Sequence, residues 1–166
     1  MKKVTIIGKS KGWEDAPKDG EAWGLTQLNL RRDVSRVIDM NDYSLWGPIE
    51  AQEAAASRKR AREKGIPYID LESYPIEKVR GRFGTSYFTS TLDYALALAL
   101  YEDFQRIDLY GCALLTEYAW QKPGADFWCG YAFGLGRRIE VHGISSIMTT
   151  RDNKMYGYGW PVRKAG

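Results

Sequence analysis

Apolar and polar positions along the chain follow two rhythms. Residues 2–7 (KKVTII) are β-branched and stop at Gly8, the pattern of a strand feeding a glycine-containing loop. Residues 14–21 are turn-rich. Residues 22–30 (AWGLTQLNL) predict a second strand, and 34–40 (VSRVIDM) a third that ends at Asn41 and Asp42. Pro48 then opens a helical stretch that Gly65 closes, with proline at the start and glycine at the stop. Residues 66–71 (IPYIDL) predict the next strand, and 72–86 are irregular apart from a short helix at 76–81. Thr89 or Ser90 caps the most apolar helix, which runs to about residue 103. A strand at 106–110 (RIDLY) ends at Gly111. Pro123 begins a helix to about residue 136, and 138–142 (RIEVH) form the last strand.

This alternation of strands and helices predicts an α/β fold, a Rossmann-like three-layer sandwich with a mostly parallel sheet. The helix from residue 90 supports it. Leu92, Ala95, Leu96, Leu98, Ala99 and Leu100 leave little polar surface, so this helix must pack on the sheet and on its neighbours as well. The expectation is one domain over 1–166, with 150–166 as a tail rich in tyrosine, glycine and tryptophan. In open parallel sheets, ligands bind beyond the carboxyl ends of the strands. The candidate loops are therefore 8–13, 29–33, 40–47, 86–91 and 111–123.

Composition narrows the function classes. The longest apolar run, residues 94–101, has eight residues, far short of a membrane span of about 20. The basic-then-apolar beginning runs into Gly8-Lys9-Ser10-Lys11 rather than a small-residue cleavage site, so it predicts a first strand in a cytoplasmic protein. Cys112, Cys129 and the single His142 make neither a disulfide framework nor a closed zinc site, and no metal or cofactor is expected. A net charge of +3 suits an anionic small molecule and does not demand nucleic acid. The basic run 57–64 (SRKRAREK) spreads around more than one helix face with no interleaved aromatic platform. It predicts a solvated face rather than a nucleic-acid site.

Several groups carry candidate chemistry. Gly8, Lys9 and Ser10, with Trp13 beyond Gly12, form a loop that can aim amides and an ammonium at a phosphate, although it matches neither GxxxxGK[ST] nor GxGxxG. Ser90 stands at a helix N-terminus, where a hydroxyl caps the helix or meets an anion. Tyr118, Gln121 and Lys122 follow a strand and suit stacking and hydrogen bonding to a base or sugar; the same residue types also serve as an oligomer contact. Asp39, at the end of the third strand, can meet a ribose hydroxyl or simply form a turn. His142 at the last strand's end is read as a hydrogen-bonded structural residue before a base.

Gly8-Lys9-Ser10, Trp23-Gly24-Leu25, Ile107-Asp108-Leu109-Tyr110-Gly111, Glu117-Tyr118-Ala119-Trp120-Gln121-Lys122-Pro123 and Trp128-Cys129-Gly130-Tyr131-Ala132 together resemble a group of small Rossmann-like proteins encoded by bacteriophages. More distantly the order is similar to bacterial sialyltransferases and to archaeal hydroxymethylpterin pyrophosphokinase-like domains. Many of the phage proteins carry a proline after the first-strand glycine and an asparagine after WGL. Here those places hold Lys9 and Thr26, and no glycine follows Thr89-Ser90, departures that bear on glycosyl transfer more than on nucleotide binding.

The resemblance implies a protein that binds a nucleotide-derived small molecule and sequesters a host immune second messenger, which needs affinity and slow release rather than a reactive group. Gly8, Lys9 and Ser10 would hold phosphate, Asn29 and Asp39 ribose, Ser90 the helix-end contact, and Tyr118 with Gln121 the base; Trp13 and Lys122 complete the expected binding set. No catalytic residue is assigned. The alternative is a nucleotide-sugar glycosyltransferase or a phosphoryl or pyrophosphoryl transferase. A third reading makes the aromatic loops and tail an interaction surface, and a homo-oligomer is expected.

Overall fold

The computed structural model describes residues 1–150 and 154–156; the rest of the predicted tail lies outside the described residues. Six strands form one sheet: β1 (Lys3–Ile7), β2 (Ala22–Leu25), β3 (Arg36–Ile38), β4 (Tyr68–Ile69), β5 (Arg106–Tyr110) and β6 (Arg138–Val141). Every pairing is parallel and the order is β4-β3-β2-β1-β5-β6. The chain therefore builds outward from β1 on one side, returns, and builds outward on the other. The direction reverses between β1 and β5, and a cleft beyond their carboxyl ends is the geometric consequence.

Four α-helices join them: α1 (Pro48–Glu63), α2 (Ile76–Phe83), α3 (Thr91–Tyr101) and α4 (Lys122–Gly134). Side chains alternate across the strands, as the pleat requires. Val4, Ile6, Trp23, Leu25, Ile38, Ile107, Leu109 and Ile139 pack with α2, α3 and α4 into the larger core. Ile7, Ala22 and Val37 point the other way, onto Ala16, Leu28 and Val34. α3 is buried on nearly all sides, as its sequence requires. Arg58, Lys59 and Arg60 of α1 and Lys64 at its end pair with Asp70, Glu63 and Asp33 on the outer side, while Ala54, Ser57 and Ala61 face inward.

The second strand is shorter than its apolar run. β2 stops at Leu25 because Thr26 takes a left-handed backbone (φ 54) that breaks the pleat, and residues 28–30 wind into a 3₁₀ turn. β4 likewise keeps only two of its six predicted residues. Ser90 caps α3, its hydroxyl accepting from the Asp93 amide, which settles the choice left open with Thr89. Among the described residues no helix is long and apolar enough to cross a membrane.

Candidate functional site

The loops after β1 and β5 are locked together. The Gly8 amide donates to the Tyr110 carbonyl at 2.8 Å and the Ser10 amide to the Gly111 carbonyl at 3.0 Å. The contact is possible only without side chains: a Cβ on Gly8 would lie 2.4 Å from the Gly111 oxygen. Beyond this junction opens a cavity of about 650 Å³, a volume suited to one small molecule.

Five loops and the start of α1 wall it. Gly8, Lys9 and Ser10 come from the loop after β1, Leu25 to Gln27 from the end of β2, Met40, Asn41, Tyr43 and Trp46 from the loop after β3, Phe88 to Leu92 from the start of α3, and Gly111 to Leu114, Tyr118, Trp120 and Gln121 from the loop after β5. Residues 29–33 do not contribute; Leu25, Thr26 and Gln27 do so instead. Thr26 and Leu114 both line the space with positive φ (54 and 48), a conformation that strains a side-chain-bearing residue. Phe88 stacks between Tyr94 (4.3 Å) and Trp128 (5.2 Å), giving one rigid aromatic wall. At the mouth Trp46, Tyr118 and Trp120 each expose half or more of their surface.

Lys9 is held in place by a chain of polar contacts. Its ammonium donates to Gln27 Oε1 at 2.8 Å, and Gln27 Nε2 donates to the Tyr43 hydroxyl. Tyr43 donates to Asp39, which also accepts from Asn41 at 2.9 Å and from Tyr68 at 2.5 Å. Asp39 is fully buried with both oxygens occupied by these donors, and it braces this chain of contacts. Burial pushes the Lys9 ammonium below its ordinary value, with Glu53 opposing the shift and Arg31 adding to it. Burial, then the Asp39 charge, pushes the Tyr43 phenol well above its own, so it stays protonated and able to donate.

Of the residues expected to bind, Gly8, Lys9, Ser10, Ser90, Tyr118 and Gln121 line one cavity. The other four are outside the lining. Trp13 packs under the first loop against the smaller core. Asn29 is buried and tied to Ser57 of α1, its amide donating to the Ser57 carbonyl at 2.9 Å and its oxygen accepting from the Ser57 hydroxyl at 2.5 Å. Lys122 pairs with Asp126 one turn along α4. Asp39 stands behind Tyr43, as described. The loop itself differs from its expected use, because the amides of Gly8 and Ser10 are already bonded to the β5 loop. Among the described residues the Lys9 amide is not engaged in this way, and Gly8, Lys9 and Ser10 all line the cavity.

Gln27, Tyr43, Trp46, Glu50, Glu53, Phe88 and Tyr94 are lining residues that sequence reasoning did not single out. Trp46 had a usable signal, as a large ring in a candidate loop just ahead of a helix start. Glu50 and Glu53 had only their i, i+3 spacing on α1, which is common on solvated helices.

His142 lies elsewhere, on the sheet face that carries Arg106, Asp108, Tyr110 and Glu140. Asp108, Glu140 and His142 each bring one ligand atom within 4.8 Å of the others. Lys3 and Arg106 already neutralise Asp108, at 2.7 and 2.9 Å, and Arg106 and Arg138 each meet Glu140 at 2.6 Å. The His142 ring stacks on Tyr110 at 4.2 Å. With both carboxylates matched by basic side chains, the group is an ion-pair network that ties β1, β5 and β6 together. Cys112 does line the cavity, but burial pushes its thiol up to about 12, so it stays protonated at neutral pH.

No protein-family model matches the chain, and no curated protein matches it. Among solved structures it is similar to a probable thiamine pyrophosphokinase from Staphylococcus saprophyticus, at 12% identity and TM-score 0.47 over 84% of this chain. The match spans 64% of that protein's length. It is also similar to the sialyltransferase CstII from Campylobacter jejuni in complex with the substrate analogue CMP-3FNeuAc, at 12% identity and TM-score 0.44, over 85% of this chain and 80% of that one. The likeness is one of α/β chain arrangement.

Proposed function

We propose that this chain binds a nucleotide-derived small molecule in the cavity beyond β1 and β5 and acts by holding it, as a phage-type protein that sequesters a host immune second messenger. One observation carries the binding: the Lys9 turn and the Tyr118–Gln121 segment, far apart in sequence, wall the same aromatic cavity at the point where the sheet changes direction. Ring faces suit a base, Gln121 and Gln27 suit its polar edge, and Lys9 beside the α3 N-terminus suits a phosphate. The exposed Leu45, Trp46 and Ile49 beside the mouth suit a contact with a second copy, which light scattering would register as twice 18.9 kDa.

Transfer of a glycosyl or pyrophosphoryl group is the second reading. It is favoured by the Glu50 and Glu53 carboxylates, which share the cavity with Lys9. One experiment separates the two. Protein purified from phage-infected cells is examined by native mass spectrometry, then denatured, and the released compound is identified. An intact nucleotide-type compound supports sequestration, and a cleaved one supports transfer. A cavity that takes up no nucleotide, free or supplied, overturns both. Lys9→Met should weaken binding about 10- to 100-fold.

A further inference from the structure

We propose that the cavity selects ligands with a single phosphate and an amine or other hydrogen-bond donor; this rests on the nucleotide binding proposed above and names its ligand class. The charges around the space carry the inference. Among the described residues Lys9 is the one basic side chain in the lining, against two carboxylates, Glu50 and Glu53. Arg31 is close enough to act on Lys9 but stands outside the lining. The described part of the wall therefore carries one more negative than positive charge.

A chain of phosphates needs more than this. Phosphate-cradling loops turn several backbone amides toward the ligand. Here the Gly8 and Ser10 amides of the first loop donate to Tyr110 and Gly111 instead, which leaves Lys9 and the α3 N-terminus to meet a phosphate. The Lys9 ammonium is already shared with Gln27 and feels the Glu53 charge, so a single, partly offset cation faces any anionic group. A second phosphate would share the cavity with Glu50 and Glu53, three residues apart on α1 and so on one face of that helix. Among the described residues neither carboxylate is held in an ion pair with a basic side chain, whereas Glu102 and Glu140 both are. The two are free to receive a donor from a ligand and repel a further anion.

The test is isothermal titration of the intact chain with the four ribonucleoside 5′-monophosphates, their di- and triphosphates, and the aminoethyl esters of the monophosphates. It is run at 0.1 and 0.5 M NaCl, with EDTA or with Mg²⁺, on the parent and on E50Q/E53Q. In the parent, affinity should fall about tenfold for each added phosphate, less steeply at high salt, and the aminoethyl ester should bind more tightly than its monophosphate. In E50Q/E53Q the phosphate series should compress to within about threefold and the ester should lose its advantage. Affinity that holds or rises with phosphate number overturns the inference and leaves nucleotide binding standing. So does a diphosphate that Mg²⁺ tightens beyond the monophosphate through Glu50 and Glu53. Binding of none of these compounds instead removes the nucleotide-binding function on which the inference rests.

Discussion

Replacing Gly8 by alanine strikes the junction on which the cavity is built. The added Cβ would sit 2.4 Å from the Gly111 carbonyl oxygen, 0.6 Å inside the 3.0 Å that real Cβ atoms keep, and 3.2 Å from Cys112 Sγ. The oxygen belongs to backbone and cannot swing away, so the two loops must separate. Separation weakens the Gly8–Tyr110 and Ser10–Gly111 hydrogen bonds, each worth about 1 kcal/mol, on top of about 1–3 kcal/mol for overpacking. The expected loss is about 2–4 kcal/mol, read from urea unfolding followed by tryptophan fluorescence. Domains of this size commonly have about 5–15 kcal/mol in hand, so the variant should still fold. Nucleotide affinity, measured on the folded variant, should drop about tenfold or more as Lys9 moves. Gly12→Ala is the control. Its φ of 97 strains any side chain, but nothing lies within 4 Å of the new atom, so it should cost about 1–2 kcal/mol and spare affinity. A Gly8→Ala protein within about 0.5 kcal/mol of the parent would show that the β1 and β5 loops do not meet as described.

Burial pushes the Asp93 carboxyl above its ordinary 3.8 despite hydrogen bonds from Thr89 and Ser90. A raised carboxyl gives stability that is fully present below the unfolded value and is lost as pH rises through the folded one. Asp93→Asn should therefore gain on the parent as pH climbs from about 4 toward neutrality, and parallel urea midpoints across that range would refute this. Cys112 and Cys129, both buried with thiols pushed up to about 12, should react with a thiol reagent at pH 8 at least about 100-fold more slowly than in urea. Ser57→Ala leaves the buried Asn29 oxygen without its 2.5 Å partner and should cost about 1–3 kcal/mol by thermal unfolding, with nucleotide affinity unchanged.

Periodicity and end signals made most of the architecture readable. Pro48 and Gly65 bracket α1, Ser90 caps α3, and RIDLY forms β5 residue for residue. β2 could not be bounded that way, because nothing local marks Thr26 as left-handed; a contact made on folding holds it, its amide donating to Ile38 at 2.8 Å. The candidate site was readable by loop and less so by residue. Asn29 and Asp39 have the right chemistry for a ribose, but neighbours that only the fold supplies, Ser57 for one and Tyr43 and Tyr68 for the other, take up their polar atoms. Glu50 and Glu53 gain their place from how α1 is set against the turns at residues 28–30 and 43–45, which no spacing in the chain records.

Amide NMR during a nucleoside monophosphate titration tests the location of binding most directly. Shifts should gather at residues 8–10, 25–27, 88–92 and 111–121, which surround the cavity, and Lys9→Met should need about 10- to 100-fold more ligand to reach them. Saturable shifts centred instead on Arg106, Glu140 and His142, with the cavity residues unmoved, would place the binding surface elsewhere on the sheet and contradict the site.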